Sequence, residues 1–294
     1  MQRSGRKTHT QKQEHAYRLK YTLFFFGICL ALILSAVFLT RCVVKRAVSD
    51  AIPVSCFGPG LEIPAFVNEE FLIVCQEGRY TLWYDTLYRQ AAWAAYVLTY
   101  ADVVQSNAER KDRFKICQVV RQKGWPYARE RDYTGTGYDR GHLVPSADRV
   151  GSQDENDATF RMSNIAPQTP RLNRVLWNNL EQEIRRMTQR FDTLWIVTGG
   201  ELKPGLPRIG APGIGVPEYF FKALLAKSGN HYQAIAFAFP NAEEIEGTFW
   251  DYAVSVDEAE KLSGNDFFPN LPDALENHIE AECLPEYWQQ QVRR

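Results

Sequence analysis

The sequence predicts an α+β fold with a mostly antiparallel sheet core, preceded by one N-terminal transmembrane helix. The sheet is indicated by short apolar runs that outnumber the helical segments and come in pairs separated by turn-forming residues. The transmembrane helix is indicated by an uncharged apolar stretch over residues 22–39. At 294 residues, the chain can bury one large core or two modest ones.

Residues 22–39 have the length of a membrane anchor, because a helix of this length about crosses the ~30 Å hydrocarbon layer. Six cations precede the segment and three follow it, which favours a cytoplasmic N-terminus and a periplasmic or extracellular domain. Two alternatives stay open: a cleaved signal peptide, which would have an unusually long apolar core and no clear cleavage site, and a buried helix. We therefore divide the chain into a basic cytoplasmic tail, a single-pass transmembrane anchor, a linker and a folded domain, over residues 1–21, 22–39, 40–64 and 65–294.

The strands of the folded domain are predicted from apolar runs that end at glycine, proline or polar residues. The first two runs flank Glu77 and Gly78 and indicate a hairpin, and a later pair flanks a Lys-Ser-Gly-Asn turn. Residues 91–100 fit a strand or a helix by composition. The predicted strands are 71–75, 80–84, 194–198 as a buried central strand, 219–225 and 232–239, and a short helix over 256–264 is predicted to end at Gly264.

A further helix is predicted to begin near Asn173, because apolar residues recur there every fourth position and form a buried stripe. The stripe consists of Leu172, Leu176, Leu180 and Ile184. Polar and aromatic residues recur one position later, so they line up beside the stripe at the rim of a site. This second row consists of Asn173, Trp177, Glu181 and Arg185.

Three ordered blocks carry the most specific signal. They read DYTGTGYDRGH at 132–142, MSNIAPQTPRLN at 162–173 and WNNLEQEIR at 177–185. The blocks resemble those of the DNA/RNA non-specific endonucleases, the ββα-metal family that includes Serratia-type and endonuclease G-type nucleases. The resemblance covers about residues 65–272 and favours a strand for residues 91–100.

The resemblance implies roles for His142, Asn173 and Asn164, and the chemistry of the residue types assigns the others. His142 would be the general base, and Asn173 would be the single protein ligand of Mg²⁺, or of Mn²⁺. Hard cations prefer oxygen ligands and keep several waters, so Glu181 is assigned to orient a metal-bound water. Arg140 and Arg185 would neutralise charge on the phosphate, Asn164 would have a supporting role, and Asp139 would anchor the loop. The arginine that the family has upstream is left open among Arg110, Arg113, Arg129 and Arg131.

The formal net charge of −1 conceals a basic region, because residues 109–190 hold 16 basic and 11 acidic side chains. A nucleic-acid ligand requires such a local footprint rather than a positive total. The six cysteines form no CxxC spacing, which argues against a structural zinc site. Cys56 and Cys75 are the nearest candidates for a disulfide, free thiols fit equally well, and the pairing of Cys117 and Cys283 is undetermined.

We therefore expect a membrane-anchored, Mg²⁺-dependent, sugar-non-specific endonuclease with DNA and RNA as substrates. A non-catalytic nucleic-acid-binding or uptake module is the first alternative, and the complete set of site residues argues against it. A phosphodiesterase acting on another substrate is the second alternative, because the site recognises phosphate and metal rather than a base. The sequence leaves the oligomeric state open, including a homodimer.

Overall fold

The computed structural model describes residues 60–65 and 69–293, which belong to one compact unit. Its core is a seven-stranded sheet in the order β1-β2-β3-β6-β9-β10-β11, and every neighbouring pair is antiparallel. Two small two-stranded sheets, β4-β5 and β7-β8, accompany it. The strands are β1 Leu72–Cys75, β2 Tyr80–Asp85, β3 Gln90–Leu98, β4 Asp139–His142, β5 Ile165–Gln168, β6 Thr193–Gly200, β7 Arg208–Ile209, β8 Ile214–Gly215, β9 Tyr219–Ser228, β10 His231–Pro240 and β11 Ala253–Val254.

The helices are short and lie against or beside this sheet. They are α1 Tyr100–Val103, α2 Gln118–Gln122, α3 Gln153–Thr159, α4 Asn178–Met187, α5 Val256–Ser263, α6 Asp273–Glu280 and α7 Pro285–Arg293. A π-helical segment, Leu172–Trp177, runs directly into α4. Short 3₁₀ turns occupy Glu69–Phe71, Glu130–Tyr133, Ser146–Asp148, Met162–Asn164 and Phe249–Tyr252.

The predicted α+β class with a mostly antiparallel sheet is confirmed. Both predicted hairpins are present, as β1-β2 and β9-β10, and residues 91–100 contain a strand rather than a helix. Strand β6 is the fourth of the seven strands, so it is central as predicted. Helix α5 ends where predicted, because Gly264 caps it in the left-handed conformation at φ 69°.

The two faces of the sheet are covered by different parts of the chain. Neighbouring residues of a strand point to opposite faces. On β9, the ring of Phe220 packs against Trp177 at 5.9 Å, while the ring of Phe221 packs against Phe267 at 5.3 Å. The helix that follows the motif blocks therefore lies on one face, and the C-terminal segment around Phe267 lies on the other.

The DRGH segment forms β4, which pairs with β5 and is followed by the helical segment 172–187. This is the strand-strand-helix arrangement that the resemblance implies. Gly141 is required by packing within it, because a Cβ at this position would lie 2.1 Å from the Oε1 atom of the buried Gln168. The glycine therefore leaves room for the buried side chain of Gln168 beside the strand that carries His142.

Several predictions concern the N-terminal part of the chain. The tail 1–21, the anchor 22–39 and most of the linker 40–64 lie outside the described residues. Within the part that the structure covers, no helix combines the length and the apolar character that a membrane crossing requires. Residues from Gly60 onward already belong to the folded domain, ahead of the expected boundary at residue 65, because Leu61 is buried and the Gly60 carbonyl accepts from Asn270.

The cysteines that the structure describes are free thiols. Cys75 and Cys117 are buried, and Cys283 is half-buried. The proposed partner of Cys75, Cys56, is outside the described residues. The alternative of free thiols therefore applies to Cys75, Cys117 and Cys283.

Candidate active site

A cavity of about 240 Å³ opens between the end of β4, the turn at Pro145–Ala147 and the helical segment 172–187. Five of the residues predicted for the site line it together, although up to 45 positions separate them in sequence. The cavity is lined by Arg110, Arg140, His142, Pro145, Ser146, Ala147, Asn173, Arg174, Asn178, Glu181 and Arg185.

His142 presents a neutral imidazole to this cavity. Its Nε2 atom is buried and has no hydrogen-bond partner among the residues that the structure describes. The ring lies edge-on to Phe160 at 4.8 Å and near Phe114 at 5.8 Å. Burial first, and then the charges of Arg110 and Arg140, lower the pKa of His142 to about 3. The imidazole is therefore unprotonated at neutral pH, as a proton acceptor must be.

Two guanidinium groups flank the imidazole. That of Arg140 lies 4.8 Å above the ring of Phe114, and its Nε atom is buried without a hydrogen-bond partner. That of Arg110 lies 5.5 Å from the centre of the Phe160 ring and donates to the Ser146 hydroxyl at 3.3 Å. Aromatic faces attract such cations, so the rings hold both charges in place. The pair makes the cavity a receptor for an anion.

The position of Arg110 distinguishes it from the other upstream arginine candidates. Of the four upstream candidates, Arg110 lines the cavity, whereas Arg113, Arg129 and Arg131 do not. Arg110 also pairs with Asp112 at 2.9 Å on the exposed side. Its place in the site depends on how the loop before α2 folds back over Ser146, and no local sequence pattern encodes that path.

The helical row of site residues differs from the prediction at Trp177. The segment Leu172–Trp177 is π-helical, with a wider turn than an α-helix. Consequently Asn178, five positions after Asn173, lines the cavity, and Trp177 is buried in the core. Beyond it, α-helical spacing returns and places Glu181 and Arg185 in the cavity. A strict α-helical period therefore missed Asn178 and wrongly included Trp177.

Trp177 supports the site from beneath. Its indole N–H donates to the carbonyl of His142 at 3.2 Å, and its ring lies 4.6 Å from the ammonium of Lys222. The tryptophan therefore joins the helix to the strand that carries His142. Π-helical turns of this kind occur frequently at functional sites.

Asn173 is oriented by a carboxylate outside the cavity lining. Its Nδ2 atom donates to Asp139 Oδ2 at 2.9 Å, which leaves the amide oxygen on the opposite side of the group. Asp139 is itself held by two hydrogen bonds from Arg174, at 2.8 and 2.7 Å, and these lower its pKa. The anchoring role expected for Asp139 is therefore supported by its contacts.

The donor set of the cavity suits a hard cation. It offers the amide oxygen of Asn173 and the carboxylate of Glu181, which line the same cavity. Mg²⁺ and Mn²⁺ take oxygen ligands and, in the case of Mg²⁺, keep several waters. A second residue that orients a ligand side chain, as Asp139 orients Asn173, is usual at metal sites.

Behind the cavity wall, the buried Asp148 and Lys222 form a charge network with Glu181 and Arg185, which line the cavity. Burial raises the pKa of Glu181, and the ammonium of Lys222 opposes the shift. Burial likewise lowers the pKa of Lys222, whose Nζ atom donates to the Leu143 carbonyl at 3.3 Å. Arg185 pairs with Asp148 at 2.8 Å, and the hydroxyl of Tyr96 donates to the same carboxylate at 2.9 Å. Arg185 is thus fixed from behind while it faces the cavity.

Lys222 and Asp148 were not identified from the sequence as site residues. Lys222 interrupts the apolar run Tyr219–Leu225 on β9. Both faces of this strand are covered by other parts of the protein, so the side chain of Lys222 is fully buried. A lysine in a strand of this kind requires a buried counter-charge. That interruption was the available signal, but the partner could not be identified without the fold.

Asn164 lies outside the cavity and supports the loop that follows His142. Its side-chain oxygen accepts from the backbone N–H of Val144 at 3.0 Å. Its amide nitrogen donates to the carbonyls of Val144 and Thr159, both at 2.9 Å. Because Asn164 is completely buried, it positions the backbone and does not touch a ligand in the cavity.

Comparison with known proteins gives consistent results. The family model of the DNA/RNA non-specific endonucleases matches residues 72–274. A protein named "Nuclease" from Nostoc sp. is 34% identical over 73% of this chain and 79% of the relative, and human mitochondrial endonuclease G is 32% identical over 65% and 68%. A crystal structure of an EndoG/EndoGI complex matches with a TM-score of 0.65 and 26% identity, over 71% of this chain and 89% of the other.

Proposed function

The chain belongs to the DNA/RNA non-specific endonuclease family, and from that premise we propose that it is a metal-dependent hydrolase of DNA and RNA phosphodiester bonds that is not specific for the sugar. The observation that carries this proposal is that the imidazole of His142 lines one cavity together with the guanidinium groups of Arg110 and Arg140. A proton acceptor and two cations in one cavity can hold a phosphate and activate a water next to it.

Each residue then has one task. The imidazole of His142 accepts the proton of the attacking water. The guanidinium groups of Arg140, Arg110 and Arg185 donate to phosphate oxygens, where charge increases in the transition state. Phosphate contacts position a nucleic acid without reading its bases, which accounts for a lack of sequence preference.

The oxygen of Asn173 would hold a Mg²⁺ or Mn²⁺ ion directly, and Glu181 would orient a water next to it. When bound, such an ion supplies Lewis-acid stabilisation of the phosphate and of the leaving 3′ oxygen. The products would then carry 5′ phosphates. Glu181 is suited to this task in its ionised form, which the neighbouring Lys222 favours.

Cleavage of supercoiled plasmid and of RNA by the full-length protein, with Mg²⁺ and with EDTA, tests this proposal. We expect cleavage of both substrates in Mg²⁺ and none in EDTA. His142→Ala should lower the rate by about 10²–10⁴, the usual contribution of a general base. The exposed His231 provides the matched control, because His231→Ala should leave the rate unchanged. A folded His142→Ala protein with wild-type turnover would exclude His142 as the base.

Binding measurements separate catalysis from a binding function. His142→Ala should still bind DNA with an affinity close to that of the wild type, since Arg110 and Arg140 remain. Asn173→Ala should lose activity and regain part of it at raised Mn²⁺. If the wild-type protein binds DNA and RNA but cleaves neither in Mg²⁺ or Mn²⁺, the domain is a binding module.

We also propose that residues 22–39 anchor the protein in a membrane, with the hydrolase domain on the periplasmic or extracellular side. The apolar length of the segment and the excess of cations before it support this. An alkaline phosphatase fused after Asp50 should be active in a bacterial host and should remain in the membrane fraction after alkaline carbonate extraction. An inactive fusion would reverse the orientation, and a shortened soluble product would indicate a cleaved signal peptide.

A further inference from the structure

Three carboxylates converge where α5 meets the end of α6. Asp257 and Glu260 lie on one side of α5, three residues apart, and Glu280 is the last residue of α6. Each offers one oxygen, and these oxygens all lie within 4.8 Å of one another. Like charges at this distance repel strongly, so the arrangement requires either bound protons or a cation to neutralise it.

Glu280 shows the need for a partner independently. Its side chain is 4% exposed, and its Oε1 atom is buried without a hydrogen-bond partner in the part of the chain that the structure describes. Burial, followed by the charges of Glu260, Glu276, Asp257 and Asp266, raises its pKa to about 9. An ionised carboxylate is rarely left buried and unpaired, because the cost of removing it from water is high.

No basic side chain fills this role. The ion pairs among residues 60–65 and 69–293 include none of the three carboxylates. The sequence from 241 to 287 holds 13 acidic residues, and Lys261, which is exposed, is its one lysine or arginine. The other ionisable groups that face the cluster, Asp266 and Glu276, are acidic as well.

The composition of the cluster favours one class of cation. Ca²⁺ takes many oxygen ligands in a flexible geometry and is often held by several carboxylates. Mg²⁺ demands near-octahedral geometry, keeps several waters and is usually held by only one or two carboxylates. The three carboxylate oxygens of this cluster lie within 4.8 Å of one another, which is close enough for them to share one cation. Flexible carboxylates from two helices also suit the irregular geometry that Ca²⁺ accepts.

We propose that Asp257, Glu260 and Glu280 form a Ca²⁺-type cation site that joins α5 to α6 and is separate from the cavity at His142. It lies with the C-terminal segment, which covers the face of the sheet that Phe221 contacts through Phe267. The cavity helix lies on the other face, against Phe220. The proposal does not depend on the hydrolytic function proposed for that cavity.

A bound ion would stabilise the start of the folded domain as well as its C-terminal segment. Glu260 already accepts from the backbone N–H of Phe267 at 2.6 Å, so it ties α5 to the following loop. That loop holds the beginning of the domain, since the Asp266 carbonyl accepts from the Ala65 N–H at 2.9 Å. A cation bound by Glu260 and Glu280 would therefore stabilise the contacts among α5, the end of α6 and the segment at Ala65.

Thermal unfolding of the full-length protein in EDTA and in Ca²⁺ tests the site, and equilibrium dialysis counts bound Ca²⁺. We expect Ca²⁺ at about 100 times its Kd to raise the melting temperature by about 5 °C or more. The same rise should occur in Asn173→Ala, which lacks the ligand in the cavity. Glu280→Gln should not show this rise in melting temperature, and it should bind one Ca²⁺ fewer per chain than the wild type.

Controls exclude a general effect of charge. Asp273→Asn removes one exposed carboxylate from the other end of α6 and should leave Ca²⁺ binding unchanged. Asp257→Asn should weaken Ca²⁺ binding at least tenfold and provides a second variant if Glu280→Gln does not fold. The proposal is overturned if the Ca²⁺ effect disappears in Asn173→Ala, persists in Glu280→Gln and Asp257→Asn, or is absent from the wild-type protein.

Discussion

The substitution Asp148→Asn tests whether the buried charge network holds the active site together. The carboxylate of Asp148 is 1% exposed and receives a hydrogen bond from Arg185 at 2.8 Å and one from Tyr96 at 2.9 Å. Asparagine keeps the shape and the acceptor for Tyr96 but removes the charge that compensates Arg185. Removal of one member of a buried ion pair costs about 3–5 kcal/mol. We expect the free energy of unfolding to fall by about 3 kcal/mol, the lower end of this range, because the Arg185 side chain is 20% exposed and water can solvate part of it.

Urea unfolding provides the measurement. The urea concentration at the midpoint should fall, while the slope of the free energy of unfolding against urea concentration should stay constant. At about 2–4 °C per kcal/mol, the melting temperature should fall by roughly 6–12 °C. The matched control is Asp157→Asn, which removes the acceptor of a surface pair with Lys115 at 3.7 Å and should cost less than about 1 kcal/mol. If Asp148→Asn costs no more than this control, the network does not contribute to stability as argued. Because the same change releases Arg185 in the cavity, kcat/KM should fall by about tenfold or more in the fraction that remains folded.

Three further outcomes are expected. Without divalent cations, the free energy of unfolding should fall as the pH rises from about 5 to 9. The reason is that Glu280 loses its proton at a pKa of about 4.3 in the unfolded chain but retains it up to a pKa of about 9 in the folded protein. Glu280→Gln should flatten this dependence on pH, and an unchanged slope would show that Glu280 is not its source. Gly141→Ala should destabilise the protein by about 1–3 kcal/mol in thermal unfolding, because the added methyl group meets Gln168, and the further substitution Gln168→Ala should restore part of the loss; no recovery would place the clash elsewhere. Arg110→Ala should raise the KM for DNA and lower kcat, whereas Arg113→Ala should change neither by more than about twofold; equal effects would indicate general charge attraction rather than contact in the cavity.

Local patterns in the sequence were sufficient for the strands and for most of the cavity. Alternating and continuous apolar runs predict strands because burial on a sheet imposes that spacing, and β1, β2, β6, β9 and β10 lie where those runs are. Arg140 and His142 share one four-residue strand, so their proximity follows directly from the chain.

The prediction for the helix was partly correct, and the error has a local cause. The apolar stripe from Leu172 to Ile184 is buried as expected. The row beside it was assigned with a uniform α-helical period, and one π-helical turn changed which residues face the cavity. The predicted apolar stripe stays buried on both sides of this turn, so hydrophobic spacing alone does not reveal the π-helical segment.

By itself, then, the sequence determined the antiparallel α+β class, the three ordered motif blocks and the set from Arg140 to Arg185 that the cavity brings together. The tertiary structure alone decided that Arg110 rather than Arg113, Arg129 or Arg131 reaches the cavity, and that Lys222 is buried beneath it. It likewise brought Glu280 to the two carboxylates of α5. The physical reason is that spacing along a chain encodes which face of its own element a residue occupies, whereas charge pairing across elements depends on the packing of segments that are distant in sequence.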